Sequence, residues 1–167
     1  VSNQRSLDVA RAPKPQGVEL MLDPGPVRPV PDESFALCDV NTPNETEAQA
    51  LVGFPVTDEE SAAQAASQLL ERGVGLVVVK LGAQGAYYAN SEERGMVRPF
   101  DIEAVDSVAA GDAFNSALTV SLAEGAALEQ AVTFASAAGA LAGTQSGAQD
   151  SMPRRAQVEA LVRDQRP

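Results

Sequence analysis

An open, largely parallel α/β sheet is the fold class this sequence predicts, on three observations. The run Val74-Gly-Leu-Val-Val-Val79 is continuously apolar, as a strand covered on both faces requires. Two segments, beginning near Thr42 and Thr57, open with helix-start signals and close with a glycine. Short extended runs alternate with helical periodicity along the chain, an order that builds a sheet flanked by helices and puts ligands at the carboxyl ends of its strands. The 167 residues, 44% of them hydrophobic, suffice for one domain with a real core and not for two of ordinary size.

Residues 6 to about 12 read as the end of a helix stopped by Pro13 and Pro15. Val18-Glu-Leu-Met-Leu22 reads as a short buried strand, broken by Asp23-Pro-Gly-Pro26. A short helix follows Pro31 with Phe35, Ala36 and Leu37 inward; Cys38 reads as a buried small hydrophobe, and Asp39-Val40-Asn41 as extended. Thr42-Pro-Asn-Glu45 combines a threonine cap, a proline at the first helical position and a glutamate that completes a capping box, and Gly53 ends the helix. Asn44 and Glu47 share a face of its first turn, either as solvated capping groups or as ligand-binding ones. Thr57-Asp-Glu-Glu60 repeats the box and opens a helix to Arg72, with Ala62, Ala66, Leu69 and Leu70 inward and Gly73 at its end. Beyond the strand at residues 74–79, Leu81-Gly-Ala-Gln-Gly-Ala86 is a glycine-punctuated turn. It either makes a hairpin into a return strand at Tyr87-Tyr88 or lets the backbone approach a flat ligand.

The stretch Asp106-Ser-Val-Ala-Ala-Gly-Asp-Ala-Phe-Asn-Ser-Ala-Leu118 concentrates the chemistry. Val97, Phe100, Ile102 and Val105 before it read as extended, whereas Phe114, Leu118 and Leu122, four apart, mark a helix over residues 113 to about 123. Ala109, Ala110 and Gly111 carry no side chain beyond methyl or hydrogen, so a ligand can approach the backbone. The free amides of a helix's first turn attract anions, phosphate above all. Asp112 then either caps the helix or acts on a proton beside a phosphate; spacing alone favours the cap. A second helix, over residues 128 to about 142, is dense in alanine and glycine and packs tightly through Val132, Phe134, Ala135 and Leu141. Residues 143–147 read as a flexible loop, and residues 153–166 as a charged terminal helix with Val158, Leu161 and Val162 inward.

Composition excludes several classes. The net charge is −11 and the 12 basic residues are scattered, which argues against a nucleic-acid or anionic-membrane surface. The absence of histidine removes histidine-based triads and zinc-hydrolase motifs. One cysteine excludes an internal disulfide framework and fits a reducing compartment. No apolar run is long enough to span a bilayer, and the first residues do not look like a signal peptide, so a cytoplasmic location is expected. The lack of an initiator methionine carries the expectation that this is the back part of something longer.

Asp106-Ser-Val-Ala-Ala-Gly-Asp112-Ala-Phe-Asn115 resembles the second signature of the PfkB-type carbohydrate kinases, Asp-Thr-x-Gly/Ala-Ala-Gly-Asp-x-Phe, in the variant similar to ribokinases. Asp39-Val-Asn-Thr-Pro-Asn-Glu-Thr-Glu47 resembles the ribokinase segment Thr-Pro-Asn-Glu-Thr-Glu, and Asp23-Pro-Gly-Pro-Val-Arg28 resembles its Asn-Pro-Ala-Pro-x-Arg turn. Lys80-Leu-Gly-Ala-Gln-Gly85 and Gly147-Ala-Gln149 follow in the expected order. The resemblance covers essentially the whole chain, which corresponds to the carboxyl-terminal half, or slightly more, of such a kinase.

The resemblance implies a ribokinase-like, open and mostly parallel sheet flanked by helices, a three-layer αβα arrangement incomplete at its amino-terminal side. It implies one domain over residues 1–167, the ATP-binding and catalytic portion of a sugar kinase. The reaction implied is phosphoryl transfer from ATP to the primary hydroxyl of D-ribose, giving D-ribose 5-phosphate. Asp112 would meet the hydroxyl and act as base, and the amides of Ala109, Ala110, Gly111 and Asp112 would form the anion hole. Asn44 and Glu47 would organise magnesium and the phosphates, Glu47 through water. Lys80, Gly82, Gly85 and Ser136, with Asn44 and Gly111, would bind ATP, the loops around residues 81–85 and 134–139 bracketing adenine and ribose. Asp106, the backbone of Val108, Gly143, Gln145, Gly147 and Ser151 would hold potassium.

Ser107 replaces the family's usual threonine, Asp23 stands where asparagine is frequent, and Lys80 stands where threonine is common. Lys80 either contacts a nucleotide phosphate or compensates for acidic charge. The twin-glycine motif, most sugar contacts and the lid that commonly forms the homodimer belong to the resembled family's amino-terminal half. The isolated chain is therefore expected to turn ribose over poorly or not at all. A truncated nucleotide-binding module is the alternative, as is another PfkB-type kinase acting on fructose or a nucleoside.

Overall fold

The computed structural model of the chain describes residues 11, 17–25, 27 and 30–165. The helix expected over residues 6 to 12 lies, Arg11 apart, outside the described residues, as do Arg28 and the last residue of the terminal helix as expected. Two compact units emerge, one containing the chain up to Gly82 together with Tyr87–Met96, the other containing Ala83–Ala86 and the chain from Val97 onward.

The first unit carries, but for the end residues Ala86 and Val97, a five-stranded sheet in the order β1 (Met21–Leu22), β2 (Val40–Asn41), β3 (Leu76–Lys80), β4 (Ala86–Ala89), β5 (Arg94–Val97). Helices α1 (Asp32–Leu37), α2 (Glu45–Val52) and α3 (Glu59–Glu71) fall between the parallel strands. Val40 lies opposite Met21 and Leu76, and Asn41 opposite Leu22 and Val77, all in parallel pairing. Residues 81–85 and 90–93 are too few for crossovers, so β4 and β5 return antiparallel. The sheet is therefore mixed: parallel from β1 to β3, hairpin-linked beyond. Val77, Val78 and Val79 are fully buried, as their unbroken apolar run requires. Val77 and Val79 join Phe35, Cys38, Ala48, Val56 and the α3 residues Ala62, Ala65, Ala66 and Leu69 in one core. Cys38 donates its thiol hydrogen to the Val40 carbonyl (2.9 Å) and is, as expected, a buried small residue.

Three local expectations change. The first strand is shorter than Val18–Leu22, and Val18 is half exposed, because pairing starts only at Leu20, whose carbonyl accepts the amides of Asp39 and Val40. Ala36 is exposed, so α1 buries Phe35 alone. Both expected capping boxes move along the chain. Thr42 and Pro43 still follow the path of β2, with the Thr42 amide on the Leu22 carbonyl and the Pro43 carbonyl accepting the Lys80 amide. Asn44, not Thr42, is consequently the cap of α2, with Glu47 as its partner. At α3 the cap is Asp58, not Thr57, and Ser61 closes the box.

The second unit contains α4 (Ala110–Ala123), α5 (Leu128–Ala142) and α6 (Arg155–Gln165). Residues 98–107 have no regular structure, and Val105 is exposed; of the four apolar residues expected there, Val97 and Phe100 are buried. Helices α4 and α5 pack closely where Gly139 meets the start of α4. A Cβ on Gly139 would lie 3.1 Å from the Ala110 carbonyl oxygen and 3.4 Å from Phe114 Cβ. Val158 of α6 packs with Phe100, Ala137 and Ala138, and Leu161 and Val162 support them, as periodicity predicted. Among the described residues no helix is long and apolar enough to cross a membrane.

Candidate active site

The carboxyl ends of β1, β2 and β3 gather a polar cluster in the first unit. Asn44 accepts the Glu47 amide on its side-chain oxygen (2.9 Å), and Glu47 Oε2 accepts the Asn44 amide (2.9 Å). The pair thus forms a reciprocal cap, and Glu47 is buried rather than solvated. Its second oxygen, Oε1, faces Gly25: a Cβ there would stand 2.6 Å from that oxygen and 3.4 Å from Asp23 Oδ1. Asn44 also bridges to Lys80 in parallel fashion. The Lys80 ammonium reaches Asp23 Oδ2 at 3.3 Å. Asp23, which stands where the resembled family frequently has asparagine, thereby gains a contact that its residue type alone does not announce. Its signal was positional, since Asp23 follows β1 and Lys80 ends β3.

Gly82 and Gly85 bound the turn after β3. Gly82 (φ 51°) lies beside α2, a Cβ there falling 3.3 Å from Glu45 Oε1. Gly85 has φ 101°, and a Cβ on it would collide with the Val97 carbonyl. Glycine is needed at residue 85 for the hairpin itself, whatever else approaches the turn.

In the second unit, α4 begins three residues earlier than expected. Ala109 is its cap, without a side-chain hydrogen bond, and Asp112 is the third helical residue. Asp112 as helix cap is therefore corrected: the carboxylate lies past the cap, exposed in the first turn. Ala109 has φ 64°, the sole non-glycine residue with positive φ among those described. The left-handed conformation costs an L-residue about 1–2 kcal/mol. The Ala110 amide is already committed to the Ser107 carbonyl at 3.2 Å, whereas the Ala109, Gly111 and Asp112 amides have no acceptor among the described residues. The open donors are thus three of the four from residue 109 to 112, with Ala110 the exception.

Asp106 ties the preceding loop to the end of α5. Its carboxylate accepts the Val108 amide (3.0 Å) and the Gly147 amide (3.4 Å), and the Gly143 carbonyl accepts the amides of Val105 (2.8 Å) and Asp106 (3.1 Å). Ser151 is buried and donates to the Ala148 carbonyl (3.2 Å), while Gln145 is exposed. Residues 134–139 are no loop: they lie inside α5, so their contribution comes from a helix face. On that face the Ser136 hydroxyl is buried with no hydrogen-bond partner. The expected residues thus assemble as two groups, Asn44, Glu47, Lys80 and Gly82 in the first unit and Gly85, Asp106 to Asp112, Ser136 and residues 143–151 in the second.

Polar groups at the carboxyl ends of parallel strands, and a small-residue turn that opens a helix with free amides, define the class of α/β proteins that handle phosphate. Within that class the chain belongs to the pfkB family of carbohydrate kinases, whose family model matches residues 3–155. It is 39% identical over 146 residues to the ribokinase of Haemophilus influenzae, covering 87% of this chain and 48% of that protein. The structure of Arabidopsis thaliana ribokinase complexed with ribose and ATP matches with a TM-score of 0.90 at 35% identity, over 96% of this chain and 53% of that one. An Escherichia coli protein solved with ATP and Mg2+ matches with a TM-score of 0.78 at 28% identity, over 93% and 52%. The chain spans about half the length of these relatives.

Proposed function

We propose that the chain supplies the nucleotide site and the general base of a ribokinase-type phosphoryl transfer. The observation that carries this reading is the start of α4, where a carboxylate sits in the first turn among three uncommitted amides, with the cap alanine held at positive φ. Asp112 takes the proton from the primary hydroxyl of D-ribose; that oxygen bonds to the γ-phosphorus of ATP; the bond from phosphorus to the β,γ-bridging oxygen breaks, and ADP leaves with its electrons. The Ala109, Gly111 and Asp112 amides stabilise the oxyanion charge, with Ala110 shaping the turn. Asn44, Lys80, Gly82, Gly85 and Ser136 bind the nucleotide, the Ser136 hydroxyl being a buried donor in need of an acceptor.

Magnesium fits the first cluster. Glu47 Oε1 is a hard carboxylate oxygen turned toward an open glycine, and no three acidic, cysteine or histidine side chains converge among the described residues. That donor set suits an ion held through water and phosphate oxygens, where it neutralises phosphate charge. Potassium fits the Asp106 loop through Asp106, Val108, Gln145, Gly147 and Ser151; Gly143 is the member that does not fit, because its carbonyl already accepts two amides. The sugar is held by residues outside this chain, so the 167 residues alone bind nucleotide without turning ribose over. The location proposed is the cytoplasm and the assembly a homodimer.

The test is ribose-dependent ADP release, with magnesium and potassium, from a protein joining this chain to the upstream half its relatives possess. Asp112→Asn lowers kcat by about 10²–10⁴-fold while ATP affinity holds within about twofold. Unchanged kcat in that variant, or ADP release indifferent to ribose, would sink the reading.

A further inference from the structure

We propose that Asp23 and Lys80 form an exchangeable ion pair, in which Lys80 leaves Asp23 for a phosphate oxygen of the bound nucleotide. Asp23 is then a positioning residue that sets how strongly Lys80 holds that phosphate. The inference rests on the nucleotide-binding reading above and adds the partner that competes for Lys80.

Asp23 follows the last residue of β1, Lys80 is the last residue of β3, and β2 runs between them. Their contact therefore reaches across the end of β2, at the strand ends where an open α/β sheet takes its ligands. The Lys80 backbone is fixed, its amide on the Pro43 carbonyl at 2.8 Å and its strand bridged to Asn44. Only the side chain is free to turn. An ammonium carries three donors. The Lys80 side chain is 15% exposed, and among the described residues its one acceptor is Asp23 Oδ2, at 3.3 Å. Charge-assisted contacts of full strength run at about 2.7–2.9 Å. The ammonium is thus largely removed from water, loosely held and short of acceptors.

Asp23 has its own anchor, because Oδ1 accepts the Gly25 amide at 3.1 Å. The carboxylate keeps its place when Lys80 departs. Across Gly25 stands Glu47 Oε1, a second carboxylate oxygen near Asp23 Oδ1. A phosphate arriving here offers Lys80 the acceptors it lacks and must first draw it from Asp23. Thr42, at the same end of β2, adds a fully buried hydroxyl without a partner, a further sign of a strand end short of polar contacts.

Calorimetric titration of the 167-residue chain with ATP, in EDTA and again with magnesium, tests this as a double-mutant cycle. Asp23→Asn removes the competitor and tightens ATP roughly fivefold; Lys80→Thr weakens it roughly tenfold. In the double variant the Asp23 substitution has lost its effect, and affinity stays within about twofold of Lys80→Thr alone. Equal tightening in both backgrounds would mark a general charge effect, and weakening by Asp23→Asn would mark a merely structural tie; either overturns the exchange. A readout needing no variant is the Lys80 side-chain nitrogen resonance, which moves with ATP and not with inorganic phosphate at equal concentration. No movement with ATP, or movement with phosphate alone, also overturns it. If the wild-type chain bound no ATP in either condition, the nucleotide reading would fall and the exchange with it; ATP binding without coupling sinks the exchange alone.

Discussion

Helices α2 and α4 both open beside an expected phosphate site, and they differ in which of their first amides are committed. At α2 the cap and third-residue donors are satisfied from within, Asn44 and Glu47 each accepting the other's amide, while the Glu45 and Thr46 amides have no acceptor among the described residues. One Glu47 oxygen closes the cap while the other faces Gly25. At α4 no side chain closes the start: Ala109 turns left-handed, Ala110 bonds back to Ser107, and the amides of Ala109, Gly111 and Asp112 stay open. Helix α5 also starts without a side-chain cap, but its Ala127 has an ordinary φ of −58°. An absent cap is therefore common, whereas an absent cap behind a strained residue is particular to α4. A capped helix start stabilises the fold and commits two of its first amides, whereas an uncapped one leaves its cap and third-residue donors to a ligand as well.

Stability measurements can break this comparison. The largest effect is expected at the closed start: Asn44→Ala removes one half of the box and should cost about 1–2 kcal/mol, read as a lower urea midpoint. A loss as small as an exposed surface substitution would mean that the box does not hold α2. At the open start the sign reverses. Ala109→Gly suits the positive φ and should raise stability by about 1 kcal/mol in the same assay. A destabilised variant would contradict the strain at Ala109. The smallest effect concerns α3, whose start is closed like that of α2 but has no part in the site. The hydrogen bond from the Ser61 side chain, ahead of the Ser61 amide, holds the Asp58 carboxyl below the ordinary aspartate range. A carboxyl lowered in the folded state contributes stability that is fully present above its unfolded value and is lost as pH falls toward its folded value. Asp58→Asn should flatten that part of the acid limb of stability against pH and leave neutral pH nearly unchanged; an unaltered acid limb would show that this cap carries no pH dependence.

Much of the architecture was legible along the chain for identifiable reasons. Strand β3 announced itself because Val77, Val78 and Val79 face apolar surroundings on both sides. Helix α5 ran as read, from Leu128 to Ala142, because alanine-rich periodicity is local information. The caps were misplaced because threonine, asparagine and aspartate compete for that role as neighbours. The choice fell to where β2 stopped pairing, a fact carried by Leu22 and Lys80 and not by the helix itself. The turn at Gly85 was open between a hairpin and a ligand approach; the Val97 carbonyl beside it makes the hairpin a sufficient reason for glycine.

The sequence by itself determined the family, the residue types at the phosphate site and the alternation that builds the sheet, since signature spacing and apolar periodicity are properties of neighbours along the chain. Only the tertiary structure decided which amides stay open at α4, which oxygen of Glu47 is spare, and that Lys80 meets Asp23. Lys80 and Asp23 are separated by 57 positions in sequence, and what joins them is parallel strand order, which brings chain ends together that no local pattern connects.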